Sequence, residues 1–189
     1  MFAFKKKYFL IIENTKDIDL CTIKRINKFI IIYRNTNINQ DFDKIKKFRY
    51  NCKSKSVKFF VANNLKLAIL LSADGVYLSG YNKTFKHLNF KSHKFSIIGS
   101  AHNIREISLK IKQECDYILF SKLFLVDYNK TAPILGIIRF NCYLNNFNKL
   151  IPLGGIKSNN LNFLRNINSD GFAIKSEVKK KPTITSRLF

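Results

Sequence analysis

Five consecutive apolar residues, Phe29 to Tyr33 (FIIIY), end abruptly at Arg34-Asn35-Thr36. A run this short, rich in β-branched residues and without a polar alternate, reads as a strand covered on both faces, as in a parallel sheet layered with helices. The constraint becomes severe because the pattern recurs. Strand-length runs stand at Tyr8 to Ile12, Val57 to Val61 (VKFFV), Asp74 to Leu78 (DGVYL), Phe95 to Ile98, Tyr117 to Phe120 (YILF), Leu150 to Ile156 (LIPLGGI) and Gly171 to Ser176 (GFAIKS). Eight strands alternating with helices imply right-handed crossovers, and eight is the number at which a parallel sheet closes. The expected fold class is an α/β TIM (β/α)8 barrel.

The intervening stretches carry helix signals. Asp19 is placed to cap a helix through about Lys28, with Leu20, Ile23 and Ile26 roughly on one face. Gln40 to Tyr50 makes a second, Lys-rich helix, and Asn63 or Asn64 caps Leu65 to Leu71. Asn103 with Glu106 three residues on forms a capping box for a helix to about Glu114, with Ile104, Ile107 and Ile111 on one face. Ile134 to Asn145 and Asn159 to Asn168 complete the set, while Gly80 to Lys91 is an irregular polar loop. At 189 residues the chain falls below the roughly 200 at which complete eight-fold barrels begin, so something is trimmed. After Ser176 only Glu177 to Lys181 precede Pro182. The eighth helix is therefore expected to be missing or replaced by a basic tail, with the barrel over 1–178 and the tail over 179–189. The flank left thin would be covered by the tail, by a turn before the first strand, or by another subunit of a homo-oligomer.

Hydrophobic residues make up 46% of the chain, with 18 Phe, which excludes a disordered chain despite a formal charge of +22. Lys, Asn, Ile and Phe are used throughout, as an AT-rich genome writes any protein, so part of the charge is compositional. It still attracts polyanions and phosphorylated metabolites. A basic RNA-binding protein would need aromatic and basic residues interleaved in one motif, and only charge supports that class here, so nucleic acid is not the expected partner. Cys21, Cys52, Cys115 and Cys142 show no metal-ligand spacing and read as reduced thiols of a cytoplasmic protein. Lys5-Lys6-Lys7 before an apolar run imitates a signal peptide, but the run stops at Glu13, too short for a signal or a membrane span.

A candidate site follows from the strand ends. Gly154-Gly155 closes the seventh run, where the absence of a Cβ lets backbone amides approach a ligand, and Lys175-Ser176 closes the eighth. In a β/α barrel the loops after the last two strands jointly bind phosphate, which makes these four residues a candidate phosphate cradle; an ordinary strand followed by a turn has the same local sequence.

Four blocks carry a resemblance to a known family. Ala73-Asp74-Gly75-Val76-Tyr77-Leu78 resembles ADGVHLG, Ile97-Ile98-Gly99-Ser100-Ala101-His102 resembles IIGVSAH, Asp116-Tyr117 through Phe124 resembles DYV-x-x-G-x-x-F, and Leu153-Gly154-Gly155-Ile156 resembles AIGGI. In this order and spacing, from about Tyr8 to Val178, they are similar to the thiamine phosphate synthase and TenI barrels. The resemblance implies a phosphorylated thiazole or pyrimidine as small-molecule partner. Synthases of this family join a pyrimidine diphosphate to a thiazole phosphate, a charge separation that needs a divalent ion, cations for pyrophosphate and amides for the thiazole phosphate.

The family's residues survive unevenly. Arg34 matches the arginine after the second strand, but the lysine two further on is Thr36. The metal-binding positions after the third and fourth strands become Asn63 and Asn82, neutral amides that are weak substitutes for the carboxylates magnesium favours. Ser100 matches a serine that contacts pyrophosphate. The loop after the sixth strand has Val126, Tyr128 and Asn129 at threonine and lysine positions, with Lys130 adjacent as a replacement cation. In the TenI branch, which needs no metal, a histidine moves a proton to aromatise the thiazole; that position is Lys122. A lysine acts as base only with a lowered pKa, and Arg34, Lys130 and Lys175 push in that direction, while an ordinary solvated lysine is the plainer reading. Three outcomes stay open: a synthase, a TenI-like tautomerase, and a non-catalytic binder of thiazole phosphate or thiamine phosphate. Of the remaining residues, Asn63 also reads as a helix cap, His102 as a local hydrogen-bonding group, Tyr77 as a packing or ring-stacking residue, and Asp74 as a structural carboxylate.

Overall fold

The computed structural model describes residues 6–23, 27–35, 41–90, 95–127, 131, 133–175 and 178. Eight strands, Lys7–Ile12 (β1), Phe29–Tyr33 (β2), Lys58–Ala62 (β3), Gly75–Leu78 (β4), Ser96–Ala101 (β5), Tyr117–Ser121 (β6), Leu150–Leu153 (β7) and Gly171–Ile174 (β8), form a closed barrel in sequence order. Every pairing is parallel, and β8 returns to β1 with Phe172 opposite Tyr8.

Closure explains the uninterrupted apolar runs. Residues of one parity, Phe9, Ile11, Ile30, Ile32, Phe60, Tyr77, Ile98, Leu119, Ile151 and Ala173, fill the barrel interior. Their neighbours, among them Tyr8, Leu10, Ile31, Phe59, Val76 and Phe172, form a second shell under the surrounding helices and turns. All five residues of FIIIY are thus buried, three on one side and two on the other. The interior is a solid plug rather than a channel, so ligand space exists only beyond it, at the strand ends.

Two carboxylates fix strand register at the opposite end. Asp74 Oδ2, just before β4, accepts the Phe59 amide of β3 at 2.7 Å and lies 3.3 Å from Arg49 Nη1. Asp116 Oδ2, just before β6, accepts the Ile97 amide of β5 at 2.8 Å. Asp74 is the structural carboxylate that its sequence position suggests.

Among the described residues, four α-helices lie outside the sheet: Phe42–Ser54 (α1), Leu65–Leu70 (α2), Ile104–Lys112 (α3) and Gly136–Asn146 (α4). Asp41, Asn64 and Asn103 cap the first three by accepting backbone amides inside the first turn. Of the two candidate caps for α2, Asn64 does the capping, and Asn63 adopts a positive φ of 54° that turns its side chain to other work.

Three connections differ from the sequence expectation. Of the helix expected from Asp19 to Lys28, Leu20–Thr22 forms a 3₁₀ turn, preceded by another at Thr15–Asp17, while 24–26 lie outside the described residues. Asp19 Oδ1 accepts the amide only two residues on and Ile23 is extended, so the turn ends at Thr22. The stretch expected as a helix over Asn159 to Asn168 forms a 3₁₀ helix, Leu161–Asn166. Leu161, Leu164 and Ile167 are all buried, and a spacing of three puts them on one edge of a three-residue turn. Within the unassigned Gly80 to Lys91 stretch, Lys86–Phe90 is also 3₁₀. The expectation of a missing eighth helix and a basic tail falls outside the described residues, apart from Val178, which is buried in the outer shell.

Candidate functional site

The inward parity of each strand continues past the plug to the C-terminal rim. Two residues beyond Ile32, Tyr77, Ile98, Leu119, Ile151 and Ala173 stand Arg34, Ser79, Ser100, Ser121, Leu153 and Lys175. Together they border a cavity of about 370 Å³. A period of two thus turns an apolar interior into a polar bowl in a single step.

Six of the site residues expected from sequence line this one cavity: Arg34, Ser100, Lys122, Gly154, Gly155 and Lys175. Lys130 and Ser176 lie outside the described residues. Asn63 and Asn82 do not line it; they border a separate groove with Leu65, Ile69 and Phe90, between α2 and the β4–β5 connection. Sequence reasoning missed Lys157, Asp127, Tyr81 and Glu13. Lys157 was within reach of the motif, two residues after Gly155, and Glu13 follows Ile11 on the inward parity of β1.

The cations are held by internal partners. Lys175 Nζ is 3.1 Å from Glu13 Oε1, Lys157 Nζ is 2.5 Å from Asp127 Oδ1, and Arg34 Nη2 donates to Tyr81 Oη at 3.0 Å. Four lining cations face one lining carboxylate, Asp127, with Glu13 and Glu106 just behind the wall, which leaves a surplus of positive charge among these described residues. Tyr77 is buried in the cavity floor, hydrogen-bonded to Ser100; burial pushes its phenol pKa up, partly offset by that bond and by Arg34. His102 borders the cavity while its Nδ1 and backbone amide both engage Glu106 Oε2, at 3.0 and 2.9 Å. Partial burial opposes ionisation of Glu106, yet the bonds from His102 and Asn103 hold its carboxyl below the usual range.

The two glycines are required by packing. β6 runs on past its last strand residue to pair with the end of β7, through Leu123 N to Leu153 O and Phe124 N to Gly154 O. A Cβ on Gly155, at φ +67°, would stand 2.3 Å from Leu125 O; one on Gly154, at φ +98°, would stand 3.1 Å from Lys122 Cα. The bare backbone just after β7 therefore seats the loop that carries Lys122 and Val126 to the cavity.

Asn63 and Asn82 form a closed hydrogen-bond set with Ser79 and Thr84. Asn63 Oδ1 accepts from Ser79 N at 3.0 Å, Ser79 Oγ at 3.2 Å and Asn82 Nδ2 at 3.0 Å. Asn82 Oδ1 accepts from Thr84 N and Oγ1 at 3.0 and 3.1 Å. A carbonyl oxygen offers two lone pairs, so both amides spend theirs on protein donors. Among the described residues no three His, Cys, Asp or Glu side chains cluster so as to hold a metal ion.

The thiamine monophosphate synthase profile (TMP-TENI) matches residues 22–178, most of the barrel. The chain belongs to that family. A thiamine-phosphate synthase of Prochlorococcus marinus (strain AS9601) is 32% identical over 131 residues, which is 67% of this chain and 37% of that protein. A thiamine-phosphate synthase of Geobacillus thermodenitrificans is 25% identical over 134 residues, covering 69% and 61%. The matched stretch thus spans less than two thirds of either relative's length. Among solved structures, thiamine phosphate pyrophosphorylase from Pyrococcus furiosus superposes with a TM-score of 0.74 at 18% identity over 96% of this chain and 94% of that one. KGPDC from Streptococcus mutans gives 0.68 at 8% identity, over 97% and 95%. These likenesses establish the barrel; no helix among the described residues is long and apolar enough to cross a membrane.

Proposed function

We propose that this family member binds a phosphorylated thiazole, or the thiamine phosphate made from it, in the rim cavity without a metal ion. The observation that carries the reading is the meeting of Arg34, Lys122, Lys157 and Lys175 with Ser100 and the glycine pair around one cavity. The surplus of positive charge suits a phosphate monoester, which carries about −1.5 to −2 near neutral pH. A pyrimidine diphosphate brings more negative charge, which the synthase reaction neutralises with magnesium. The Asn63 and Asn82 oxygens, already saturated by Ser79, Asn82 Nδ2 and Thr84, do not fit that ion. The synthase reaction is accordingly not the activity favoured here. Lys122 borders the cavity, which keeps a TenI-like proton transfer as the second reading.

Calorimetry with thiazole monophosphate tests the first reading. Binding should be the same in EDTA and in excess magnesium, and Arg34→Ala should weaken it about tenfold or more, the usual scale for losing a charged hydrogen bond. Equal affinity in the variant would misplace the site. Formation of thiamine phosphate when the pyrimidine diphosphate and magnesium are added would overturn the metal-free reading, and thiazole isomerisation abolished by Lys122→Met would favour the second.

A further inference from the structure

The site leaves one buried charge unused. Lys110 on α3 has no exposed surface, and its stem runs between Gly99 and Cys115 so closely that a Cβ on Gly99 would meet Lys110 Cδ at 2.8 Å. Its ammonium bonds two neutral oxygens, Asn82 O and Gln113 Oε1, each at 2.8 Å. No carboxylate among the described residues forms an ion pair with it, so it bears a desolvation cost that a Leu or Met there would avoid. What the ammonium gains is a grip on one loop. Gln113 Nε2 adds donors to Asn82 O at 3.1 Å and Thr84 O at 2.7 Å, and His87 Nε2 lies 3.0 Å from Gln113 O. Asn82 in turn bonds Ser79 O through its amide and Asn63 through its side chain.

We infer that Lys110 is a positioning residue for the cavity: from the β5-facing side of α3 it clamps the Asn82 carbonyl and so sets the β4–β5 connection whose Gly80 and Tyr81 form one cavity wall. Tyr81 receives the Arg34 guanidinium, so the clamp reaches the cation at the opposite rim through a single hydrogen bond. The tie between the ends of β3 and β4 is then made entirely of protein, by the Asn63–Asn82 bond above and the ammonium below. The affinity arm of the test rests on the phosphate reading of the cavity; the exchange arm does not.

Lys110→Met keeps the stem and deletes the ammonium. Hydrogen exchange should quicken about tenfold in peptides covering 79–88 while β1 and β6 peptides keep their protection, a split that a general loss of stability would not give. Affinity for inorganic phosphate should fall about five- to tenfold. Tyr81→Phe should cost affinity in the wild type and little more in the Lys110→Met background, because both changes release the same wall. Unchanged loop exchange, or penalties that simply add, would overturn the inference. If Lys110→Met does not fold, Gln113→Leu removes the other half of the clamp and must loosen the same peptides; protection retained there overturns it equally. A wild type that binds no phosphate removes the function proposed above, and the exchange result still decides the role of Lys110.

Discussion

Gly155→Ala is the sharpest single perturbation of the rim, because two separate costs can be read from its geometry. At φ +67° an alanine sits in the left-handed region, which costs about 1–2 kcal/mol for a residue with a Cβ. The new Cβ would also stand 2.3 Å from Leu125 O and 2.6 Å from Phe124 C, both backbone atoms that move only if the whole loop moves. Overpacking of this kind adds about 1–3 kcal/mol, for a total of about 2–5 kcal/mol. In a chain of 189 residues that lowers the melting temperature by about 4–20 °C. Gly136→Ala supplies the control, since Gly136 has φ +68° and nothing within 4 Å of an added Cβ; it should cost the conformational part alone. Urea unfolding followed by circular dichroism gives both values. A Gly155→Ala penalty no larger than that of Gly136→Ala would show that the β6 loop is not seated on the glycines, and the account of how Lys122 reaches the cavity would fail.

Asp74→Ala should destabilise by about 2–4 kcal/mol in the same unfolding assay, because it strips the acceptor from the Phe59 amide and the partner from the buried Arg49; a change under about 0.5 kcal/mol would contradict the register role. Burial pushes the Cys52 thiol up to about 12, and Cys115 is buried as well, so a thiol reagent on native protein at pH 8.5 should label Cys21 and Cys142 quickly and the other two slowly. The folded pKa of Cys52 exceeds the unfolded one, so the unfolded chain loses its proton first and this contribution to stability declines from about pH 8.5 upward. Lys110 has the opposite sign. Burial lowers its pKa below 10.5, so between the folded value and 10.5 the unfolded chain holds the extra proton and stability rises with pH. The difference in unfolding free energy between wild type and Lys110→Met should therefore move in favour of the wild type as pH climbs through that window; a flat difference would contradict the desolvated charge.

Strand order and closure were legible because burial on both faces leaves no alternation, and that signature repeated eight times. The connections were less legible. Asp19 looks like a helix cap in sequence, yet an Asx turn uses the same side chain two residues on instead of three, and only the path of Ile23 reveals which form wins. Leu161, Leu164 and Ile167 suit either a helix or a 3₁₀ turn until the length of the segment is known. At the rim, the motif residues on strand ends were found, while Tyr81, Asp127 and Glu13 were not, because each acts through a partner distant in sequence. Lys110 could not be recognised from its position on α3, since a lysine near a helix end ordinarily points to water. Its burial becomes evident only when Gly99 is seen to make room for it.

The carboxylates of Asp74 and Asp116 stand at the far end of the barrel from the bowl, and they touch nothing a ligand would meet. They nevertheless decide its chemistry, since sliding β5 by a single residue would turn Ser100 outward toward α3 and offer Gly99 or Ala101 to the opening. Damage at these feet would alter what the mouth recognises by a phase error alone, with every contact residue still encoded.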